Sequence, residues 1–311
     1  MLAGQQPIAI NAINHPPGMV VTIADIMALL GAHYVAYYPT LTDVSGSAKA
    51  AIMLGHAIFM SRIVEGKQPE RKGWFWKTAD DWQQATGLSQ KEIYTSRKLL
   101  GEAGILKETI RGMPARLWFQ VDLDRLAEVL CKTGNIKFRA WSWEDRVLKT
   151  LLGKPVMYYA SLAHITDSAT AGLYLSCLLG QYRQQAFQNR HQTGFVSPAA
   201  ELQQQLKIGK HVATKARDIL RNIGIIEEQR EHCAQPKLIT IFNLDALFQA
   251  INFEKTNKKS LKIHSLSEYD NQECRNTTIN SSGFGKTRVP RTAKQEFRFW
   301  RSRSCRNRNF L

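Results

Sequence analysis

The amino-acid sequence contains one pattern twice, and this repetition constrains the fold more than any other feature. Residues 75–108 align without a gap on residues 195–228, at an offset of 120 positions. Flanking segments match at an offset of 121, as Tyr37-Tyr38 does with Tyr158-Tyr159. Identical residues in the central alignment are Phe75/Phe195, Ala79/Ala199, Gln83/Gln203, Gln84/Gln204, Arg97/Arg217, Leu100/Leu220, Gly104/Gly224, Ile105/Ile225 and Glu108/Glu228. Two copies of a roughly 120-residue unit predict two like domains and not a solenoid.

The repeat divides the chain of 311 residues into segments. Such a length allows about two domains, and each unit is long enough to bury its own core. Trp141 and Trp143 are expected to dock the connector between the units onto a domain. The predicted segments are a flexible lead-in at 1–18, domain 1 at 19–130, a connector at 131–144, domain 2 at 145–252 and a basic tail at 253–311. The tail loses apolar periodicity, which predicts disorder.

The net charge of +16 lies mainly in the tail. Residues 255–311 hold 14 Lys and Arg against 4 Asp and Glu, whereas residues 1–254 hold 28 against 22. Such an excess of basic residues favours a polyanionic partner, and nucleic acid is the first candidate. It does not show that the folded repeats bind one.

The sequence predicts neither a membrane protein nor a secreted one. No apolar run reaches spanning length, and Met19 to Tyr38, which contains Asp25 and His33, is read as one or two core helices. The N-terminus lacks the features of a signal peptide. We therefore expect the protein in the cytoplasm. The thiols of Cys131, Cys177, Cys233, Cys274 and Cys305 are expected to be reduced.

Features of catalysis or metal binding are weak, so no enzyme, cofactor or metal is predicted. Residues 280–287 end like a P-loop, but Asn280 replaces the first glycine and no strand precedes it. Neither histidines nor cysteines have the spacing of a metal site. His56, on an apolar helix, is expected to be a satisfied core residue. The paired tyrosines of both units are expected to pack in the core.

Within each unit, periodicity and end signals predict the same order of elements. Long apolar helices are predicted from Ser47 to Val64 and from Ser168 to Gln185, short ones at 79–86 and 198–206, and another at about 90–102. Predicted helix caps are Thr78 with Asp81, Ser197-Pro198 and Ser89, and predicted left-handed helix ends are Gly104 and Gly224. Ile93, Ser96 and Leu100 form an inward stripe that Ala213, Ala216 and Leu220 repeat.

A β-hairpin is predicted after each of these helices. Strands begin at Ile105-Leu106 and Ile225-Ile226, and partner strands lie at Ala115–Val121 and Pro236–Phe242. The tips are Arg111–Pro114 and Glu231–Gln235. Short helix, turn, longer helix and hairpin make a winged helix-turn-helix. The predicted fold is thus mainly α with small β-hairpins: two tandem winged helices and a disordered basic tail.

The first unit also resembles a known family over roughly 50 residues. Trp82-Gln83, Gly87-Leu88-Ser89, Leu100 to Leu106 and Gly112–Ala115 match the pattern of the winged-helix domain in DnaD-like replication proteins of phages and prophages. The second unit matches less well, because Lys207-Ile208-Gly209 replaces the turn. The tandem arrangement is similar to that of plasmid replication initiators. Both resemblances imply origin recognition on double-stranded DNA in the bacterial cytoplasm, in association with the nucleoid. A host replicative helicase or its loader is the implied partner.

Candidate contacts follow from how a winged helix meets DNA. The second helix of the motif enters the major groove, and basic wings suit phosphates. In the first unit the candidates are Ser89, Gln90, Lys91, Tyr94, Thr95, Lys98, Arg111 and Arg116. In the second they are Lys210, His211, Thr214, Lys215, Arg230 and Lys237, where Asp218 and Glu231 oppose phosphate contact. Arg97 and Arg217 neighbour the inward stripe and either bind DNA or form salt bridges within the domain.

The sequence leaves alternatives to replication initiation open. A transcriptional regulator of a mobile element would use the same DNA contacts. An adaptor could dock proteins through its winged helices while the basic tail holds nucleic acid weakly. One unit could also bind DNA while the other forms a homo-oligomer.

Overall fold

The computed structural model describes residues 20–188, 195–196, 199–230 and 238–257, a mainly helical chain with small antiparallel sheets. The first half contains α1 (Ile23–Leu30), β1 (Val35–Tyr37), α2 (Pro39–Ser45), α3 (Ala48–Lys67), β2 (Phe75–Trp76), α4 (Ala79–Thr86), α5 (Gln90–Glu102), β3 (Leu106–Arg111), β4 (Arg116–Val121) and α6 (Leu123–Thr133). The second half contains α7 (Asp145–Leu152), β5 (Val156–Tyr158), α8 (Ala160–Thr166), α9 (Ala169–Gln188), β6 (Phe195–Val196), α10 (Ala199–Leu206), α11 (Lys210–Asn222), β7 (Ile226–Arg230), β8 (Leu238–Phe242) and α12 (244–257).

Local sequence signals place most helix ends where they were predicted. Thr78 and Ser89 each accept a hydrogen bond from the third residue of the helix they cap, and Asp81 and Glu92 close both capping boxes. Gly104 and Gly224 have φ near +70°, as expected for left-handed helix ends. The predicted cap Ser197-Pro198 and the tip 231–235 lie outside the described residues.

Each half has a three-stranded sheet of the same order. The first sheet has the order β2-β4-β3 and the second β6-β8-β7, so the strand before the helix pair adds to the hairpin that follows it. Phe75 pairs with Phe119 and Trp76 with Trp118 in the first sheet. In the second, Phe195 pairs with Thr240 and Val196 with Ile239. The two halves therefore repeat in structure, position for position.

The two halves share one hydrophobic core, and the described residues belong to one compact unit. The long helices α3 and α9 pack against the other elements of their own halves and against each other. Small residues permit close contact: a Cβ on Gly55 would lie 2.5 Å from the Ala36 carbonyl oxygen, and one on Gly172 would lie 2.6 Å from the Ala163 backbone. The predicted domains 19–130 and 145–252 are thus packed together and not held apart by the connector.

The interpretation of Met19–Tyr38 as one or two core helices is wrong for its second part. Only α1 is helical, and Val35–Tyr37 is strand β1, which pairs antiparallel with β5 of the other half. The register joins Val35 to Tyr158, Ala36 to Met157 and Tyr37 to Val156. A three-residue strand is stabilised by its long-range partner, which local periodicity does not reveal.

This strand pair lies on a pseudo-twofold axis between the halves. Val35, Ala36 and Tyr37 align with Val156, Met157 and Tyr158 in the repeat, so each strand pairs with its own counterpart about the Ala36–Met157 centre. The hydrogen bonds of Tyr37 and Tyr158 follow the same symmetry. Tyr37 donates from its hydroxyl to the Leu206 carbonyl (2.6 Å), and Tyr158 donates to the Thr86 carbonyl (2.6 Å). Each half thus supplies a donor to the last turn of the short helix in the other half.

Each half extends beyond its predicted C-terminal limit. Helix α6 continues to Thr133, three residues into the predicted connector, and α12 continues to residue 257, into the predicted tail. Trp141 and Trp143 pack against the core as expected, and Trp143 donates to the Glu65 carboxylate (2.7 Å). The remaining tail, 258–311, lies outside the described residues.

No single helix in the described ranges has both the length and the apolar composition needed to cross a membrane. Helices α2 and α3 meet that test only when they are combined, and they are bent by 110° at the break between them.

Candidate functional site

Helix α5 presents a polar face to solvent. Its N-cap Ser89 and the side chains of Gln90, Lys91, Tyr94, Thr95 and Lys98 are all exposed, Tyr94 by 66%. Ile93, Ser96 and Leu100 are buried on the opposite side. All predicted contact residues of this helix therefore share one accessible face, and a bulky tyrosine stands on it without being needed for the core.

The start of α5 is held in place by charge and hydrogen bonds. Glu92 accepts a hydrogen bond from the Ser89 backbone N–H (2.9 Å) and forms an ion pair with Lys49 of α3 (2.7 Å). Burial opposes ionisation of Glu92, but the hydrogen bonds from Lys49 and Ser89 outweigh it and hold the pKa of this carboxyl below its usual value. The helix is thus fixed to α3 at the end where its exposed face begins.

Helix α11 presents the corresponding face in the second half. Lys210, His211, Thr214 and Lys215 are exposed, while Ala213, Ala216 and Leu220 are buried. Its N-cap is Gly209, which offers no side-chain cap, and its first turn contains no acidic residue. Asp218 forms an ion pair with Arg221 on the same helix. The first turn of α11 is therefore more positive than that of α5.

Arg97 and Arg217 form salt bridges within their own halves. Arg97 donates to both Glu108 oxygens at 2.8 and 2.6 Å, and Arg217 to both Glu228 oxygens at 2.6 and 2.7 Å. Hydrogen bonding to the glutamate raises the pKa of each guanidinium. The sequence left open whether these arginines bind DNA or form salt bridges within the domain, and the salt bridge is confirmed in both halves. It joins α5 to β3 in the first half and α11 to β7 in the second.

The hairpin β3–β4 places two predicted contact residues beside tryptophans. Arg111 and Arg116 are register partners. The Arg111 guanidinium carbon lies 4.2 Å from the ring centre of Trp74, and that of Arg116 lies 4.2 Å from that of Trp76. The arginines were predicted as contacts from the sequence, whereas the tryptophans were not. The signal was present, since tryptophans alternate at 74 and 76 and another follows at 118.

The equivalent hairpin in the second half is described only in part. Arg230 ends strand β7, but nothing is described of its side chain, and Lys237 lies outside the described residues. These two predictions therefore stay predictions. The turn before α11 is described: Lys207 has φ of +50° where the first half has Gly87 at +66°, and Lys207 forms an ion pair with Asp43 of α2.

Other candidate chemistry is sparse in the described part of the chain. No group of three or more His, Cys, Asp or Glu residues could hold a metal there. Cys131 and Cys177 are buried free thiols, and the remaining cysteines lie outside the described residues. Burial raises the pKa of Cys177 to about 12, which makes its thiolate unfavourable at neutral pH.

His56 is buried on α3, as expected, but it is not satisfied. Its Nε2 has no hydrogen-bond partner in the described residues, and its ring lies 5.5 Å from that of Trp82. Burial, with a smaller effect of the Lys77 charge, lowers the pKa of His56 to about 3. The imidazole is therefore neutral at physiological pH and packs as an apolar ring.

No protein-family model matches this chain, and no curated protein or solved structure is significantly similar to it.

Proposed function

We propose that the protein binds double-stranded DNA through α5 and α11, each the recognition helix of a winged helix-turn-helix. The observation that carries the proposal is the face of α5. It gathers a glutamine, a tyrosine, a threonine and two lysines on one accessible side of a helix that follows a short helix and precedes a basic hairpin. Glutamine can pair with adenine, and lysine with guanine or phosphate. A helix of this kind fits the major groove.

The pseudo-twofold relation supports the use of both helices. Two-fold related recognition helices read half-sites that are inverted with respect to each other. The contact positions differ between the halves: Lys210 aligns with Gln90, and Lys215 with Thr95. The proposed target is thus a pair of inverted half-sites with different base sequences. A single chain then reads what usually requires a symmetric dimer.

The biological role that we propose is initiation of replication for a phage, prophage or plasmid. The protein would recognise an origin and recruit a host helicase or its loader without catalysing a reaction. A regulator of transcription would use the same helices, so the position of the preferred site in the genome distinguishes the two roles. The resemblance of the first half to DnaD-like winged helices favours replication.

The test is Lys91→Ala combined with Tyr94→Ala in the full chain. We expect site-specific affinity for duplex DNA to fall by roughly 1–3 kcal/mol per base contact removed. Lys132→Ala is a matched control, because this exposed lysine belongs to α6, which is not part of the proposed contact face. The affinities are measured by fluorescence anisotropy on a duplex selected for tight binding. An affinity as high as that of the control would refute the assignment of α5.

A second measurement separates the folded halves from the tail. Residues 260–311 hold 11 Lys and Arg against 4 Asp and Glu. After their deletion we expect duplex binding to persist and to weaken steeply with salt, since each neutralised phosphate contributes about 0.9 to the slope. Loss of all binding would place the DNA contacts in the tail and favour the adaptor function.

A further inference from the structure

The first sheet has an outer surface of tryptophan and arginine that duplex recognition by α5 does not use. Side chains alternate between the faces of a strand, so Phe75 and Phe119 enter the core while their neighbours Trp76 and Trp118 lie on the other face. Trp118 is half-buried there. Trp76 is 37% exposed. We call this surface the tryptophan face, and its members are Arg71, Trp74, Trp76, Arg111, Arg116 and Trp118.

Each tryptophan of this face is stacked with one arginine. The guanidinium carbons of Arg111 and Arg116 lie 4.2 Å from the ring centres of Trp74 and Trp76, and that of Arg71 lies 5.3 Å from that of Trp118. Within the described residues, none of these three arginines forms an ion pair with a carboxylate. A stacked guanidinium keeps the N–H groups at its edge free, and these can bind phosphate.

The second half shows that the fold does not require this surface. Its sheet has the same strand order and the same register, yet Val196 and Ile239 stand where the first half has Trp76 and Trp118. Glu231 aligns with Arg111. Lys237 aligns with Arg116, so one of the two hairpin cations is kept and the other is replaced by a carboxylate. The sheet therefore forms without the tryptophans and without a counterpart of Arg111. The large aromatic surface of the first half is an addition that packing alone does not explain.

We propose that the tryptophan face binds single-stranded nucleic acid. Unpaired bases stack on aromatic rings and on guanidinium planes, and the unpaired charge of the arginines suits the phosphates between them. A duplex hides the faces of its bases, so stacking on this surface selects an opened strand. Arg111 and Arg116 are also predicted duplex contacts, but the three tryptophans and Arg71 are not. The test of single-strand binding therefore uses Trp76, Trp118 and Arg71, and its outcome is independent of duplex binding by α5 and α11.

The second half supplies the substitutions for the test, Trp76→Val with Trp118→Ile. The full-length variant and the wild type are titrated against a labelled oligothymidylate of about 15 nucleotides and against a hairpin duplex. We expect affinity for the single strand to fall roughly tenfold or more, since each lost base stack costs about that factor. Affinity for the duplex should stay within about twofold of the wild type. The wild type should also show tryptophan quenching by the oligonucleotide that the variant largely loses.

Lys91→Ala with Tyr94→Ala is the reciprocal control, because it should weaken duplex binding and leave single-strand binding unchanged. A folded tryptophan variant that binds the single strand as tightly as the wild type would overturn the proposal. Equal losses for strand and duplex would also overturn it, since the face would then be part of the duplex contact. Should the double variant not fold, Arg71→Gln at an exposed position replaces it, with the same expected loss and the same refuting result.

Discussion

At the scale of the residue, the tyrosines Tyr37 and Tyr158 have a function that their apolar surroundings conceal. Each is fully buried, and each donates a hydrogen bond to a carbonyl of the other half. Burial raises the pKa of both phenols, that of Tyr37 to about 12, so both remain protonated donors. A buried carbonyl that loses its donor has no water to replace it.

We therefore expect Tyr37→Phe and Tyr158→Phe each to lower the free energy of unfolding by about 1–3 kcal/mol. Tyr38→Phe is the control, because its hydroxyl forms no hydrogen bond with the described residues and its loss should cost less. Urea unfolding followed by circular dichroism gives the three values. A Tyr38→Phe variant as destabilised as the other two would contradict the assigned function of the hydroxyls.

His56 is a second residue whose environment predicts a measurable effect. Its pKa is about 3 in the folded protein and about 6.5 when unfolded, so the unfolded state binds the proton more readily. The stability contributed by the neutral ring is present above pH 6.5 and is lost as the pH falls below it.

Between pH 7.5 and pH 5, the free energy of unfolding of the wild type should thus fall by about 2 kcal/mol more than that of His56→Leu. The substitution also removes the unpartnered Nε2, and the comparison of the two proteins cancels the titration of the carboxylates. Denaturant unfolding at several pH values measures the difference. Parallel pH profiles for both proteins would show that His56 is not buried in its neutral form.

At the scale of the element, the helix-to-hairpin salt bridge holds α5 and α11 in their orientation. It occurs in both halves, but the Glu228 side chain is only 5% exposed, whereas that of Glu108 is 27% exposed. Removal of the arginine leaves a buried charge in the second half and a partly solvated one in the first. The cost should differ accordingly.

We expect Arg217→Met to destabilise the protein by about 2–4 kcal/mol and Arg97→Met by about 1 kcal/mol. The weak contact of Arg221 with Glu228, at 3.7 Å, compensates part of the charge and sets the lower end of that range. Thermal unfolding of the two variants shows which substitution destabilises the protein more. A larger loss for Arg97→Met would mean that burial does not control this bridge.

At the scale of the whole molecule, the two halves pack about a pseudo-twofold axis in one compact unit that contains both α5 and α11. The axis passes between Ala36 and Met157, and both reciprocal tyrosine bonds obey it. Fixed halves would allow only one spacing between the two half-sites that we propose. A flexible connector would allow many.

An insertion of about five base pairs at the centre of the preferred duplex should weaken binding at least about tenfold, because it turns one half-site by half a helical turn. Replacement of the same number of central base pairs without a change of length is the control. Gel-shift titration compares the three duplexes. Equal affinity for the inserted duplex would show that only one helix contacts DNA or that the halves separate.

Much of each half was determined by the sequence alone. The bounds of α4 and α5, both capping boxes and the left-handed glycines follow from short-range signals, because a cap or a turn depends on residues within four positions. The exposed face of α5 follows from helical periodicity for the same reason. The mainly α composition with small sheets was predicted on these grounds.

Only the tertiary structure decided how the halves combine. Strand β1 was predicted as helix, because its partner β5 lies some 120 residues away and a three-residue strand has little signal of its own. The hydroxyl bonds of Tyr37 and Tyr158 span 169 and 72 residues, so no local pattern predicts them. Whether the buried Nε2 of His56 finds a partner also depends on which side chains pack around it. The alternation of Trp74 and Trp76 is visible in the sequence, but the members of the tryptophan face come from the 3₁₀ helix Pro69–Arg71, the loop after it and three strands. Pairing across a sheet brings together residues that no local pattern relates.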